Sequence, residues 1–146
     1  MNLKKIMSGD DIVNKAREYV NQISYKFGGD SPSKGFDCSG LVKYVYKEVT
    51  GQNLPHSTGS LINLGKQVSK DNLQPGDLVF PSSGHVGIYS GNNNFIHAPC
   101  DGQTVKEANI YSFHTARRLI WIQKDNFINK KILKWNIYFI LKNKFW

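Results

Sequence analysis

Cysteine is scarce in this 146-residue chain, with Cys38 and Cys100 the whole supply. Two thiols cannot build a disulfide-stapled miniature domain, and a single Cys38–Cys100 bridge is the one pairing open to them. There is no CxxC and no HExxH, and His56, His85, His97 and His114 are scattered, which removes the usual zinc spacings. No metal or other cofactor is therefore expected. An unbroken apolar run of roughly 20 residues is missing too, so no stable membrane insertion is expected. The opening stretch MNLKKIMSGDDIVNKAREYV carries two early lysines but no apolar h-region. No cleavable signal peptide is visible, and export, if it occurs, is expected to use another route.

Acidic residues are also few, 11 against 19 Lys and Arg, for a formal net charge of +8. The excess is uneven. Six lysines against Asp125 alone fall within residues 124–146, so the basicity largely belongs to the tail. With no nucleic-acid recognition motif in the chain, nucleic acid is not an expected partner, and an anionic polymer fits the charge at least as well.

What is present reads as one domain over residues 1–123, long enough to bury roughly two-thirds of its extended surface, followed by a Lys- and aromatic-rich tail over 124–146. That tail is open to three readings: a docked helix, a membrane-surface segment or an extension of uncertain order. Ser8-Gly9-Asp10-Asp11 marks a helix start, and Ile12, Val13, Ala16, Tyr19, Val20 and Ile23 form a stripe at helical spacing that predicts a helix to about Lys26. The turn-rich GGDSPSKGFD (28–37) predicts a loop. A second helix is expected from Cys38 to Val49, with Leu41, Val42, Val45, Tyr46 and Val49 on its apolar face and Gly51 as its stop. A short third helix is expected over 57–65. Beyond it the period changes to two, predicting short strands at 77–81, 85–90, 94–98, 103–107 and 117–123. Helices first and strands after imply an α+β fold, with the N-terminal helices on one face of a five- or six-stranded antiparallel sheet.

Cys38 is the residue with chemical potential. A thiol at a helix start faces unsatisfied N–H groups and the positive end of the helix dipole, both of which favour thiolate, yet most cysteines so placed are packing residues. A base decides between these. His85 opens the strand HVGIYS and His97 closes NNFIHA, with Gly91-Asn92-Asn93 between. A three-residue loop would pair Gly87 with His97 and set His85 on the same face, whereas a two-residue loop would put the histidines on opposite faces. With Cys38 packed over that face, the arrangement is nucleophile, base and orienting group. In that scheme His85 holds Cys38 as thiolate in an ion pair and later protonates the leaving amine, while His97 fixes the His85 ring. The Cys38 N–H serves as oxyanion donor, joined by the Tyr25 hydroxyl. His56, His114 and Cys100 read as ordinary surface or loop residues.

The blocks YKFGGDSPSKGFDCSGLVKYVY, LQPGDLVF, HVGIYSGNNNFIHAP and the later RRL resemble, in order and spacing, the NlpC family of papain-like cell-wall cysteine peptidases, over about residues 10–120. The resemblance implies a compact papain-like domain and a peptidoglycan endopeptidase acting on the bacterial wall. Its partner would be the stem peptide, cut between γ-D-glutamyl and the diamino acid, and the protein would be a monomer. It maps the nucleophile onto Cys38, the base onto His85, the third polar residue onto His97 and the tyrosine onto Tyr25. Asp37 and Ser39 fall on positions that help recognise the free amino end of the stem peptide, although Asp37 also reads as an N-cap and Ser39 as a first-turn residue. Where relatives often show Arg-Thr-Ser after Leu-Pro and a later Gln, this chain has His56-Ser57-Thr58 and Leu61. An amidase of the related CHAP type, an acyltransferase using the same dyad and a non-catalytic wall-binding module are the competing readings.

Overall fold

Helix α1 (Gly9–Arg17) begins where the Ser8 backbone N–H donates to the Asp11 carboxylate at 2.8 Å, and it buries Ile12, Val13 and Ala16. The computed structural model describes residues 7–119. The tail over 124–146 and the far end of the strand expected at 117–123 lie outside the described residues. Contrary to the sequence expectation, α1 stops nine residues short of Lys26. Tertiary pairing overrides helical spacing there. Asn21 N–H donates to Val105 O and Tyr25 N–H to Gln103 O, both at 2.8 Å, while Val105 N–H donates to Ile23 O at 2.9 Å. Asn21 turns left-handed (φ 61) to enter this pairing.

The next two elements are a minimal hairpin, β1 (Asp30–Ser31) and β2 (Gly35–Phe36), inside the expected loop. It delivers the chain to α2 (Cys38–Thr50), which matches the expected helix to within one residue. Leu41, Val42, Val45 and Tyr46 are all fully buried, each contributing on the order of 1.5–3 kcal/mol of burial. Gly51 closes the helix in the left-handed region (φ 75), its N–H on Lys47 O at 2.9 Å. The third helix, α3 (Thr58–Leu61), is a single turn rather than the expected nine residues. Gly59 inside it is a poor helix former, and Gly65 reverses the chain with φ 64.

The six-stranded antiparallel sheet is built from β3 (Lys66–Gln67), β4 (Leu78–Ser82), β5 (His85–Gly91), β6 (Asn94–His97), β7 (Lys106–Asn109) and β8 (Thr115–Arg118), in the order β3-β8-β4-β5-β6-β7. Leu78, Phe80, Val86, Ile88 and Ile96 join α1 and α2 in the main core. On the other face Val79, Phe95 and Ile110 make a smaller cluster with Leu73, Tyr89 and Phe113. Period-two alternation thus gives the sheet two apolar layers.

The turn before β4 locks these layers together. Tyr46 donates its hydroxyl to Gly76 O from the middle of α2. Asp77, 2% exposed, accepts from Gln74 N–H and from both Nε and Nη2 of Arg118, all at 2.8 Å. The PGD and RRL blocks are therefore two halves of one forked ion pair.

Candidate active site

Loop 26–30 and the first turn of α2 fit together because two glycines meet. A Cβ on Gly40 would lie 1.9 Å from Gly29 O, the oxygen that accepts the Asp37 N–H at 3.0 Å. Asp37, the N-cap, fixes this junction from both oxygens: Oδ1 accepts from Gly40 N–H at 2.7 Å and Oδ2 from Gly28 N–H at 2.9 Å. Oδ1 also meets His56 Nε2 at 2.7 Å and the Ser39 hydroxyl at 3.4 Å. Ser39 is buried beneath it. Cys38 is the first helical residue. The N–H groups of Gly40 and Leu41 are spent on Asp37, whereas those of Cys38 and Ser39 have no acceptor among the described residues. Two backbone donors thus point outward beside the sulfur.

His85 begins β5 and His97 ends β6. The pairs Ile88↔Ile96 and Tyr89↔Phe95 extend to Gly87 opposite His97, the register the sequence predicts. The connection differs. Asn92 and Asn93 are both left-handed (φ 52 and 62), making a two-residue turn between Gly91 and Asn94, not the three-residue loop expected. A register shift between Tyr89 and Gly91 takes up the extra residue on β5 and restores the parity that such a turn would otherwise have broken. His85 Nε2 and His97 Nδ1 come within 2.7 Å.

Aromatic packing holds this pair. Phe95 stacks on His97 with centroids 4.2 Å apart and planes 19° apart, and it meets the His85 ring edge-on at 6.3 Å. Gly87 makes room, since a Cβ there would lie 2.4 Å from Phe95 Cδ2. Burial pushes the His85 imidazole below its ordinary range. His97 is lowered to about 3, by burial first and then by neighbouring His85 and Lys106, so it is neutral at neutral pH. Its Nε2 is buried without a partner among the described residues. The tautomer consistent with a base is His85 Nε2–H donating to His97 Nδ1, with the His97 proton on Nε2; this leaves the His85 Nδ1 lone pair free to take a proton.

The hydrogen bond of Cys38 Sγ runs to Thr58 Oγ1 at 3.5 Å, and none joins it directly to His85. What links the two groups is the shared surround. α2 packs across β5. Tyr111, 68% exposed, has its ring centroid 6.0 Å from Phe95 and 6.5 Å from His97. Its hydroxyl is held above its ordinary range by burial and then by the charge of Cys38. Tyr25 is raised by the same two causes in the same order, so its phenol stays a donor. Cys38 packs against the main core on the helix-facing side, whereas the imidazoles pack on Phe95 of the other cluster. The sulfur thus does not lie over the histidine face as the sequence reading expects, and Tyr111 flanks the imidazoles.

Several sequence expectations look different at this scale. His56, read as an ordinary residue, bonds the N-cap carboxylate and lies 4.0 Å from Asp30. Thr58 and Tyr111 carried no periodic signal and were missed; a hydroxyl residue within the block where relatives show Arg-Thr-Ser was the available clue to the first. Cys38 and Cys100 are both free thiols, so the bridge between them is not formed. His114 is exposed, its backbone N–H on Phe80 O at 2.9 Å.

The sequence profile of the NlpC/P60 family matches residues 22–124. The gamma-DL-glutamyl hydrolase of Bacillus subtilis is 42% identical over 93 residues, covering 60% of this chain and 22% of the relative. The murein DD-endopeptidase MepS/murein LD-carboxypeptidase of Escherichia coli is 49% identical over 80 residues, covering 52% of this chain and 42% of the relative. The chain thus spans less than half the length of either. Among solved structures, the NlpC/p60 domain of the peptidoglycan hydrolase SagA superposes with a TM-score of 0.72 at 34% identity, covering 77% of this chain and all of that one.

Proposed function

The chain belongs to the NlpC/P60 family, and from that premise we propose that it is a peptidoglycan endopeptidase, a cysteine peptidase whose target is the γ-D-glutamyl–diamino acid amide of the stem peptide. The observation that carries this reading is the 2.7 Å pair of His85 and His97; the Cys38 thiol at the start of α2, a helix that packs across β5, supports it. The names of the two curated relatives, a glutamyl hydrolase and a murein endopeptidase, support the substrate class.

His85 Nδ1 takes the proton of Cys38 as Sγ attacks the scissile carbonyl carbon. Burial of His85 lowers its proton affinity at rest, which supports a neutral imidazole as the proton acceptor. The developing oxyanion receives the Cys38 N–H and the Tyr25 hydroxyl. The His85 imidazolium then protonates the leaving amine, an acyl-cysteine remains, and water activated by His85 hydrolyses it. His97 acts through His85, holding its tautomer. The hydrogen bonds within the chain support an N-cap role for Asp37 and a buried first-turn place for Ser39. The Asp37 charge still lies at the rim and supplies attraction for a substrate ammonium.

Digestion of purified muropeptides, read by product mass, tests the proposal. New D-glutamyl carboxyl ends are the expected result. Release of the stem peptide at the lactyl group would instead identify an amidase, and intact muropeptides would overturn wall-peptidase activity altogether.

A further inference from the structure

We propose that Thr58 is a further catalytic residue, one whose hydroxyl donates to Cys38 Sγ and stabilises the thiolate as it forms. The inference rests on Cys38 being the nucleophile. The contact is the 3.5 Å approach of Oγ1 to Sγ across twenty positions of sequence, so the fold, and not chain proximity, brings the two groups together.

The segment bearing Thr58 is held on several sides. His56 Nε2 sits on Asp37 Oδ1 at 2.7 Å, the same carboxylate that caps the nucleophile helix. The Ser57 hydroxyl accepts the Ser60 N–H to start α3, and Ile62 N–H donates to Thr58 O at 3.0 Å. Leu61, at the end of the same turn, is fully buried in the main core. A β-branched residue on a backbone so fixed has few χ1 rotamers, and the one adopted brings the hydroxyl to Sγ.

The chemistry then has a sign. With the thiol protonated, either group can donate, and the bond is a weak neutral one. Once the sulfur proton has gone to His85, only the threonine can donate, and a hydrogen bond to a charged acceptor is roughly twice as strong as its neutral counterpart. The hydroxyl therefore favours thiolate over thiol and keeps the sulfur aimed while the proton moves. The outward N–H groups of Cys38 and Ser39 remain free for the substrate oxyanion.

The test is the pH dependence of iodoacetamide alkylation of Cys38, measured in a Cys100→Ser background so that a single cysteine reports. Thr58→Val keeps the shape and removes the hydroxyl; Thr58→Ser keeps the hydroxyl. The expected result is an alkylation midpoint displaced upward by about one pH unit in Thr58→Val, corresponding to an about tenfold smaller thiolate population below the midpoint, with Thr58→Ser restoring the parent profile. An unchanged midpoint in folded Thr58→Val would overturn the proposal. If that variant does not fold, Thr58→Ala reports the same midpoint and is judged by the same criterion. Because alkylation needs no wall substrate, a displaced midpoint in a protein that leaves muropeptides intact would refute the peptidase reading while upholding the hydrogen bond from Thr58 to the thiolate.

Discussion

His97 is 3% exposed, stacked on Phe95 and bonded through Nδ1 to His85. A ring so enclosed resists a second proton, which is why it is lowered to about 3. The consequence for stability has a definite sign. The unfolded chain takes up a proton at the ordinary histidine value near 6.5 while the folded chain does not, so nothing is lost above that pH. Stability then falls as pH drops from about 6.5 toward 3, by up to about 1.4 kcal/mol per unit from this residue. His97→Asn can still accept from His85 Nε2 but does not titrate. Thermal unfolding followed from pH 7 to pH 4 should therefore show a shallower decline in His97→Asn than in the parent, and parallel curves would show that His97 is not buried neutral. At this scale the placement of Cys38 at a helix start and of His85 and His97 at strand ends was legible, because such boundaries can be read from pattern. The surroundings of Thr58, His56 and Tyr111 were not, because each is set by tertiary contacts that no period encodes.

The β5–β6 hairpin carries the imidazole pair, and its geometry shows how an element can be right for an incompletely read reason. The register was legible from the alternation around His85 and His97. The route to it was not: two left-handed asparagines make the tighter turn, and a bulge returns the residue that the turn removes. Helix α2 was legible end to end since its cap, stripe and stop agree. Helix α1 was overrun because its last apolar positions serve a pairing with residues 103–105 that lies far off in sequence. Within the hairpin, Gly87 is where an added methyl should do most harm. Gly87→Ala drives a Cβ to 2.4 Å from Phe95 Cδ2 and 2.9 Å from Ile96 O, so Phe95 must leave its stack on His97. A loss of about 1–3 kcal/mol in chemical denaturation is expected, together with reduced turnover. Gly84→Ala, which meets nothing within 4 Å, should stay within about 0.5 kcal/mol of the parent. Equal stability of the two variants would mean that Phe95 is not wedged against this strand.

Across the whole described molecule, the sheet separates the work. Its helix-facing side holds the main core and, through Tyr46 and the Asp77–Arg118 fork, sets where α2 lies. The other side carries the histidines on their own small aromatic cluster. The α+β class and the order of helices then strands were legible because periodicity changes once along the chain. The ion pair between PGD and RRL was not, since both blocks read as local turn and strand signals. Catalysis by this architecture requires the sulfur that α2 presents to react with the help of the imidazoles that the sheet presents. The direct measurement is the rate of muropeptide cleavage by Cys38→Ala beside the parent protein, both shown to be folded. Loss of a nucleophile should lower turnover by about a thousandfold or more with the thermal midpoint nearly unchanged; cleavage continuing at the parent rate would contradict the role of Cys38 and the mechanism built on it.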